Sequence, residues 1–288
     1  LEDLNMHRSR KTGLFFGALA ALLWSANMPM LERITTGETG ASAVVITFHM
    51  VFWAAAALFL LMFLSGRLDE ISVFNRRETT FLVLAATGGY GFWFLRALAL
   101  EAVQNPPQAQ LYAFTAPLFM GAFSLAAQDE KLDGRAVFGL LLGFVGCILL
   151  ASARTDLAGA GGLVAGLGAG ACLGLFTVCA RPVVRDENVL PTLALVLGIG
   201  AACLLITCVS RGEQIFDVRL EQVGLSVLGG LLTVALMFAL WLTCLSAASV
   251  AAAAPIWYLG AAFALLWAWR GPAELDAWLA FGGVILVI

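Results

Sequence analysis

The sequence predicts an all-α membrane protein with ten transmembrane helices, arranged as two inverted five-helix repeats. Three observations support this fold class: an apolar composition, ten apolar runs and a weak internal repeat between the halves. Of the 288 residues, 61% are hydrophobic and only 12% are charged, whereas soluble domains have about 45–50% apolar and about 25% charged residues. The net charge of −3 comes without a basic patch, which argues against nucleic acid as a partner.

Ten apolar runs follow one another along the chain, and about 20 mostly apolar residues are enough to cross a bilayer. The predicted spans are 13–32, 41–64, 80–100, 108–127, 135–152, 160–180, 190–210, 222–244, 247–268 and 276 to the end. The last run has about 13 residues before Ile288, which is too short to cross. We therefore expect a truncated last helix and a native protein that continues further.

The loops between these spans differ in their content of lysine and arginine. With the N-terminus inside, the inner segments hold ten such residues and the outer loops hold five. Cytoplasmic loops are enriched in positive charge, so this bias predicts that both termini are cytoplasmic.

Similar landmarks recur in the two halves, which predicts repeats over 1–152 and 153–288. The stretch "GLFFGALAALLW" from Gly13 resembles "GLVAGLGAGACL" from Gly162. Later landmarks also keep their order: Pro117, Leu132 and Gly139 in the first half, and Pro255, Leu275 and Gly282 in the second. Five spans per repeat force the second repeat to enter the membrane upside down. Inverted repeats are a transporter architecture, with the substrate held near the midplane between the halves.

Polar residues interrupt the first span at Asn27 and Pro29, with Trp24 one turn earlier on the same helix face. Proline removes a backbone hydrogen bond and opens a turn, which leaves a carbonyl for another donor. One interpretation is a wall of the substrate cavity. The other is a packing kink in which Asn27 bonds a neighbouring helix.

Arg96 lies within the third predicted span. A charge at bilayer depth is costly and usually faces a wet interior, and a guanidinium matches a carboxylate with two hydrogen bonds. Arg96 is therefore a candidate for binding a substrate carboxylate. A structural ion pair, or a side chain reaching to the outer surface, remains the alternative.

Further candidates for substrate contact are a histidine, a polar stripe and several aromatic residues. His49 lies in the second span, where it could titrate near neutral pH or simply hydrogen-bond in packing. Tyr112 and Thr115 belong to a polar stripe that leads to Pro117. The remaining aromatic candidates are Trp93, Phe176, Trp257 and Tyr258. Some of these side chains could equally be core or interhelical contacts.

Two stretches carry a resemblance to a known family. They are "ALLWSANMP" in the first span and residues 113–150, which combine a proline-bearing helix, an acidic turn at 129–131 and a glycine-rich helix. This pattern resembles the drug/metabolite transporter superfamily in its EamA branch, over nearly the whole chain. The second half departs from it, because Arg270, Gly271 and Pro272 stand where the acidic turn is expected.

The resemblance implies a transporter of the bacterial inner membrane that exports metabolites, often amino acids, and an aromatic amino-acid exporter is the nearest relative it suggests. In that family the first helix lines the cavity, which favours Trp24 and Asn27 as site residues. We expect a monomer that contacts lipid, binds a small-molecule substrate in a central cavity and works by alternating access.

Two other function classes remain open. A multidrug or organic-cation exporter of the same fold would need a buried carboxylate, and the first nine spans carry no acidic residue near mid-depth. An intramembrane enzyme would need clustered acid–base or metal-binding residues. The sequence has no nucleotide-binding, zinc or nucleophile motif, and its six cysteines lack metal-ligand spacing. We therefore predict no catalytic residues, no metal and no cofactor.

Overall fold

The computed structural model describes residues 2–27, 30, 41–102, 113–127, 134–152, 160–185 and 187–268. These residues form helices joined by short turns, and none of them lies in a β-strand. The helices are α1 (Glu2–Ser25), α2 (Ala43–Leu64), α3 (Arg76–Ala102), α4 (Ala116–Ala127), α5 (Gly134–Ser152), α6 (Ala160–Ala180), α7 (Val189–Ser210), α8 (Leu220–Gly229), α9 (Met237–Ala247), α10 (Val250–Trp257) and α11 (Leu259–Ala268). A 3₁₀ helix at Leu68–Val73 connects α2 to α3.

Among the residues that the structure describes, five helices are long and apolar enough to cross a membrane. They are Ala43–Leu64, Arg76–Ala102, Gly161–Ala180, Val189–Ser210 and Leu220–Ala247. The last of these, hereafter the α8–α9 span, is continuous through a π-helix at Gly230–Leu236.

Helices occupy nine of the ten predicted spans, and the tenth lies outside the described residues. Helix α1 begins at Glu2, well before the predicted start at residue 13. The described part of the chain confirms an all-helical architecture, whereas the count of ten spans stays a prediction.

Local capping explains where several helices begin. The Ser42 hydroxyl accepts a hydrogen bond from the backbone N–H of Val45 at 3.3 Å. Before α3, Asn75 Oδ1 accepts from the Glu78 N–H at 2.9 Å, and Glu78 Oε2 accepts from the Asn75 N–H at 3.0 Å. This reciprocal pair is a capping box, which satisfies two donors that a helix start leaves open.

One end of the bundle, the first end, carries the segments 65–75, 181–185 and 187–188. Arg67 binds both carboxylate oxygens of Glu70 and also donates to the Glu187 carbonyl at 2.9 Å. Its hydrogen bond to Glu70 raises the pKa of Arg67 above the ordinary arginine value. Arg185 pairs with Glu78 at 2.9 Å. Ion pairs and hydrogen bonds therefore join the two predicted repeats here.

The opposite end, the second end, carries the segment 211–219. Arg211 pairs with Glu101, near the end of α3, at 3.0 Å. His49 Nε2 lies 2.9 Å from the Ile215 carbonyl oxygen. The start and the end of α3 thus lie at opposite ends of the bundle, as expected for a helix that crosses it.

Close packing between α3 and α6 depends on Gly88. A Cβ at this position would lie 2.7 Å from the Phe176 backbone nitrogen and 2.9 Å from the Cys172 carbonyl oxygen. Backbone atoms cannot rotate away as a side chain can, so Gly88→Ala must separate the two helices. We expect it to cost about 1–3 kcal/mol and to lower the melting temperature by roughly 5 °C.

Gly200→Ala in α7 is the matched control, because a Cβ added at Gly200 would meet no other atom within 4 Å. Alanine favours a helix by about 1 kcal/mol over glycine, so this variant should melt at or above the wild-type temperature. Differential scanning fluorimetry in detergent makes the comparison. Equal melting temperatures for both variants would contradict the close α3–α6 contact.

Candidate functional site

Arg96 is fully buried in the second half of α3. Its Nη2 donates a hydrogen bond to Asn27 Oδ1 at 2.8 Å, across 69 positions of sequence. Arginine has only donors, so it fixes which end of the Asn27 amide must face it. Arg96 is therefore held by a neutral side chain from the first predicted span.

Asn27 also reaches the α8–α9 span. Its Nδ2 donates to Thr233 Oγ1 at 2.6 Å, and Thr233 Oγ1 in turn donates to the Gly229 carbonyl at 2.8 Å. All three side chains of this Arg96–Asn27–Thr233 network are buried. The network connects three predicted spans and orients the Asn27 amide from both sides.

Thr233 lies at the centre of the π-helix Gly230–Leu236. Such segments are rare and occur frequently at functional sites, because the wider turn redirects side chains and loosens the helical hydrogen bonding. At Gly230 the segment meets α2 so closely that an added Cβ would overlap the Met50 carbonyl oxygen. The π-helix is thus anchored on α2 while Thr233 contacts Asn27.

Tryptophan rings surround the guanidinium. The Arg96 Cζ lies 4.8 Å from the Trp24 ring centroid and 5.6 Å from that of Trp93. Trp24 also stacks with Trp257 at 6.2 Å, and Trp257 meets Trp241 edge-on at 4.8 Å. Cation–π contacts of this kind contribute about 0.5–2 kcal/mol each and partly replace the hydration that burial removes.

Phenylalanine rings extend this aromatic cluster toward α6. Phe238 packs edge-on against Trp93 at 5.7 Å and against Phe176 at 5.2 Å. Trp93, Phe176 and Phe238 border a cavity of about 10 Å³, which is roughly the space of one water molecule. This cavity is too small for an amino acid, so a substrate could enter there only if the helices move apart.

Two buried indole N–H groups in the cluster have no hydrogen-bond partner among the described residues. They belong to Trp24 and Trp257, whereas Trp241 Nε1 donates to Thr177 Oγ1 at 3.2 Å. A buried donor left unmet costs about 1–3 kcal/mol. The aromatic cluster therefore offers two spare donors beside a fixed positive charge.

The structure brings six of the ten predicted site residues into one place. They are Trp24, Asn27, Trp93, Arg96, Phe176 and Trp257. Tyr112 lies outside the described residues, as does Pro29.

The other three predicted residues lie apart from this cluster. His49 faces the segment 211–219, where it contacts the Ile215 carbonyl. The Tyr258 hydroxyl donates to the Leu140 carbonyl of α5 at 2.8 Å. Thr115 is buried and packs against α6. A Cβ added at Gly170 of that helix would lie only 2.7 Å from the Thr115 Oγ1 atom.

Sequence reasoning missed Thr233 and Phe238. It also missed Phe92, whose ring centroid lies 5.4 Å from that of Trp24 and 4.9 Å from that of Trp93. A signal for Thr233 was present, because it continues a polar face that begins at Gln222 and Ser226 in an otherwise apolar run. The two phenylalanines gave no signal, since apolar rings in a membrane span are ordinary. Within the described ranges, no group of three or more His, Cys, Asp or Glu side chains is arranged to bind a metal.

Comparison with known proteins gives three findings. The model of the EamA-like transporter family matches residues 11–152 and 160–288. The aromatic amino acid exporter YddG of Ancylobacter novellus is 28% identical over 147 residues, which is 51% of this chain and 48% of the exporter. The chain thus matches about half the length of that curated relative. A crystal structure with 20% sequence identity superposes with a TM-score of 0.76 over 96% of this chain and 94% of its own.

Proposed function

The chain belongs to the EamA-like transporter family, and we propose that it is a secondary transporter for amino acids or related small carboxylates, which it exports by alternating access. The family's members are transporters rather than enzymes, and we extend this to the present chain. We further propose a monomer in the bacterial inner membrane with both termini in the cytoplasm and ten spans in two inverted repeats.

The observation that carries the substrate class is the placement of Arg96. Its guanidinium is buried among aromatic rings and hydrogen-bonded to the neutral amide of Asn27. A substrate carboxylate would make a stronger, charge-assisted hydrogen bond to the same guanidinium. It could displace Asn27, which keeps Thr233 as its partner.

The surrounding groups favour an aromatic substrate. Trp24 and Trp257 supply aromatic rings and also spare N–H donors. Trp93 adds a third indole ring. Aromatic rings attract one another by about 0.5–1.5 kcal/mol beyond simple burial. The partial similarity to an aromatic amino acid exporter points in the same direction.

The fixed charge of Arg96 argues against an exporter of organic cations. A cation drawn to the tryptophan faces would find a guanidinium already beside two of them. Like charges at close range in a low-dielectric site repel by several kcal/mol. We therefore rank anionic and zwitterionic substrates ahead of hydrophobic cations.

Counterflow uptake in proteoliposomes tests this function. Vesicles loaded with an unlabelled amino acid receive trace labelled amino acids outside, first at matched and then at unequal pH. We expect saturable exchange of phenylalanine, tyrosine or tryptophan that is indifferent to the pH gradient. Protein-free vesicles provide the control for leakage.

Failure to exchange any amino acid, with protein shown to be folded and inserted, would refute the proposed substrate class while leaving the family assignment intact. Exchange that follows the pH gradient would refute pH-independent transport. His49, which contacts the Ile215 carbonyl at the second end, would then be the first residue to test for proton coupling.

A further inference from the structure

One face of the α8–α9 span is polar and buried over three helical turns. Gln222, Ser226 and Thr233 fall on this face together with Gly229 and Gly230, at the spacing that aligns side chains along a helix. All three polar side chains are at most 5% exposed. The opposite face carries leucines that point out of the bundle, such as Leu228 at 48% exposure.

Several hydrogen-bonding atoms near this face are unsatisfied. Ser226 Oγ, Gln222 Nε2 and Thr47 Oγ1 of α2 are buried without a hydrogen-bond partner among the described residues. Each such group costs about 1–3 kcal/mol when left dry. The three groups lie on two helices in contact, so a single polar occupant that enters in another state would satisfy them together.

Thr47 and Ser226 lie at the same level of the bundle. The contact between His49 and the Ile215 carbonyl places the residues before α8 beside the beginning of α2, so the two helices run in the same direction. Further along, the position of a Cβ on Gly229 is 2.8 Å from Met50 Cε. Thr47 precedes Met50 by one turn, as Ser226 precedes Gly229.

Two methionines separate these polar groups from the Arg96–Asn27–Thr233 network. Met30 Cε and Met50 Cε lie 3.2 Å and 2.8 Å from where a Cβ of Gly229 would be. Gly229 stands between Ser226 and Thr233 on the polar face. Methionine is unbranched and flexible, so it can fill a gap and withdraw from it without backbone strain.

We propose that Thr47, Gln222 and Ser226 line a transit route for a hydrogen-bonding solute between the second end of the bundle and the Arg96–Asn27–Thr233 network. Met30 and Met50 form its constriction. The identity of the solute rests on the proposed function, whereas the access of water to the route does not. In this structure the two methionines close the route at Gly229, between Ser226 and Thr233.

Cysteine accessibility in membrane vesicles tests the route without measuring transport. Ser226→Cys and Thr47→Cys are treated with a charged, membrane-impermeant methanethiosulfonate, and the unsubstituted protein gives the baseline of its six native cysteines. Phe216→Cys in the segment 211–219, where Phe216 is 94% exposed, marks the side from which the second end is reached. Leu228→Cys is the control for a lipid-facing site on the same helix.

Ser226→Cys and Thr47→Cys should be modified from the same side as Phe216→Cys. Their rates should exceed that of Leu228→Cys by about tenfold, because the reactive thiolate forms only where water reaches the sulfur. Rates no greater than that of Leu228→Cys, while Phe216→Cys is labelled, would overturn the route. Thr47 is on a different helix from Ser226, so one misfolded variant does not prevent the test.

The two proposals fail separately. Labelling of both cysteines without counterflow of any amino acid would support the route and refute the substrate class. Amino-acid counterflow with both cysteines inert would overturn the route and support the substrate class.

Discussion

Replacing Arg96 by alanine is expected to reduce transport of carboxylate substrates about 100-fold or more, because removing one partner of a desolvated charge pair costs roughly 2–5 kcal/mol in binding. The fold should survive. The substitution removes a buried charge, and its hydrogen-bond partner Asn27 keeps Thr233.

Initial rates of counterflow, normalised to reconstituted protein, measure this effect. Arg96→Lys keeps the charge but loses the planar fork that binds both carboxylate oxygens, so it should fall between the wild type and Arg96→Ala. Arg76→Ala, at the exposed start of α3, is the matched control and should transport normally. A wild-type rate for Arg96→Ala would refute the assigned role.

Changing Asn27 to aspartate is expected to be nearly as damaging, although the two side chains have almost the same shape. The new carboxylate would lie at the Oδ1 position, 2.8 Å from the Arg96 guanidinium, and would form a buried ion pair. A substrate carboxylate would then have to displace a charge instead of an amide. We expect a loss of apparent affinity of about 100-fold, corresponding to roughly 3 kcal/mol.

The concentration dependence of counterflow, together with thermal melting, separates this competition from misfolding. The new carboxylate cannot donate to Thr233 as the Asn27 amide does, but the Thr233 hydroxyl can turn from the Gly229 carbonyl and donate to it. Asn27→Asp should therefore melt within a few degrees of the wild type while its half-saturation concentration rises. Asn75→Asp makes the same chemical change at the N-cap of α3, where aspartate is as favourable as asparagine, and should leave transport unchanged. Unaltered substrate affinity in Asn27→Asp would show that substrate does not replace Asn27 at Arg96.

For the part of the chain that the structure describes, the sequence was sufficient to predict helices, because an apolar run of about 20 residues satisfies its own backbone hydrogen bonds in a bilayer only as a helix. Its resemblance to the EamA branch is confirmed by the family match over both halves. Most helices begin within a few residues of the predicted positions. Helix α1 instead begins at Glu2, so the polar segment before Gly13 is also helical.

Candidate residues were harder to predict than helices. Arg96 and Asn27 stood out because polar groups are costly in a membrane. Their contact nevertheless joins positions 69 residues apart, and Thr233 is separated from Asn27 by 206 residues. Periodicity reports which face of a helix is polar but not which helix it meets. The contact of His49 with the Ile215 carbonyl depends on tertiary packing in the same way.

The π-helix is a second feature that the sequence concealed. Its residues, Gly230–Leu236, are ordinary apolar helix formers apart from Gly230 and Thr233. The wider turn begins at Gly230, where the helix approaches the Met50 carbonyl of α2 too closely for a side chain. A local pattern cannot show such a contact.

Competition by substrate analogues tests the central claim most directly, because it varies the carboxylate while keeping the ring. Counterflow of labelled tryptophan by the wild-type protein is measured with tryptamine, which lacks the carboxylate, or indole-3-propionate, which lacks the ammonium group, as competitor. If Arg96 binds the substrate carboxylate, indole-3-propionate should compete and tryptamine should not. Competition by tryptamine that equals or exceeds that of indole-3-propionate would contradict the account and favour a transporter of organic cations.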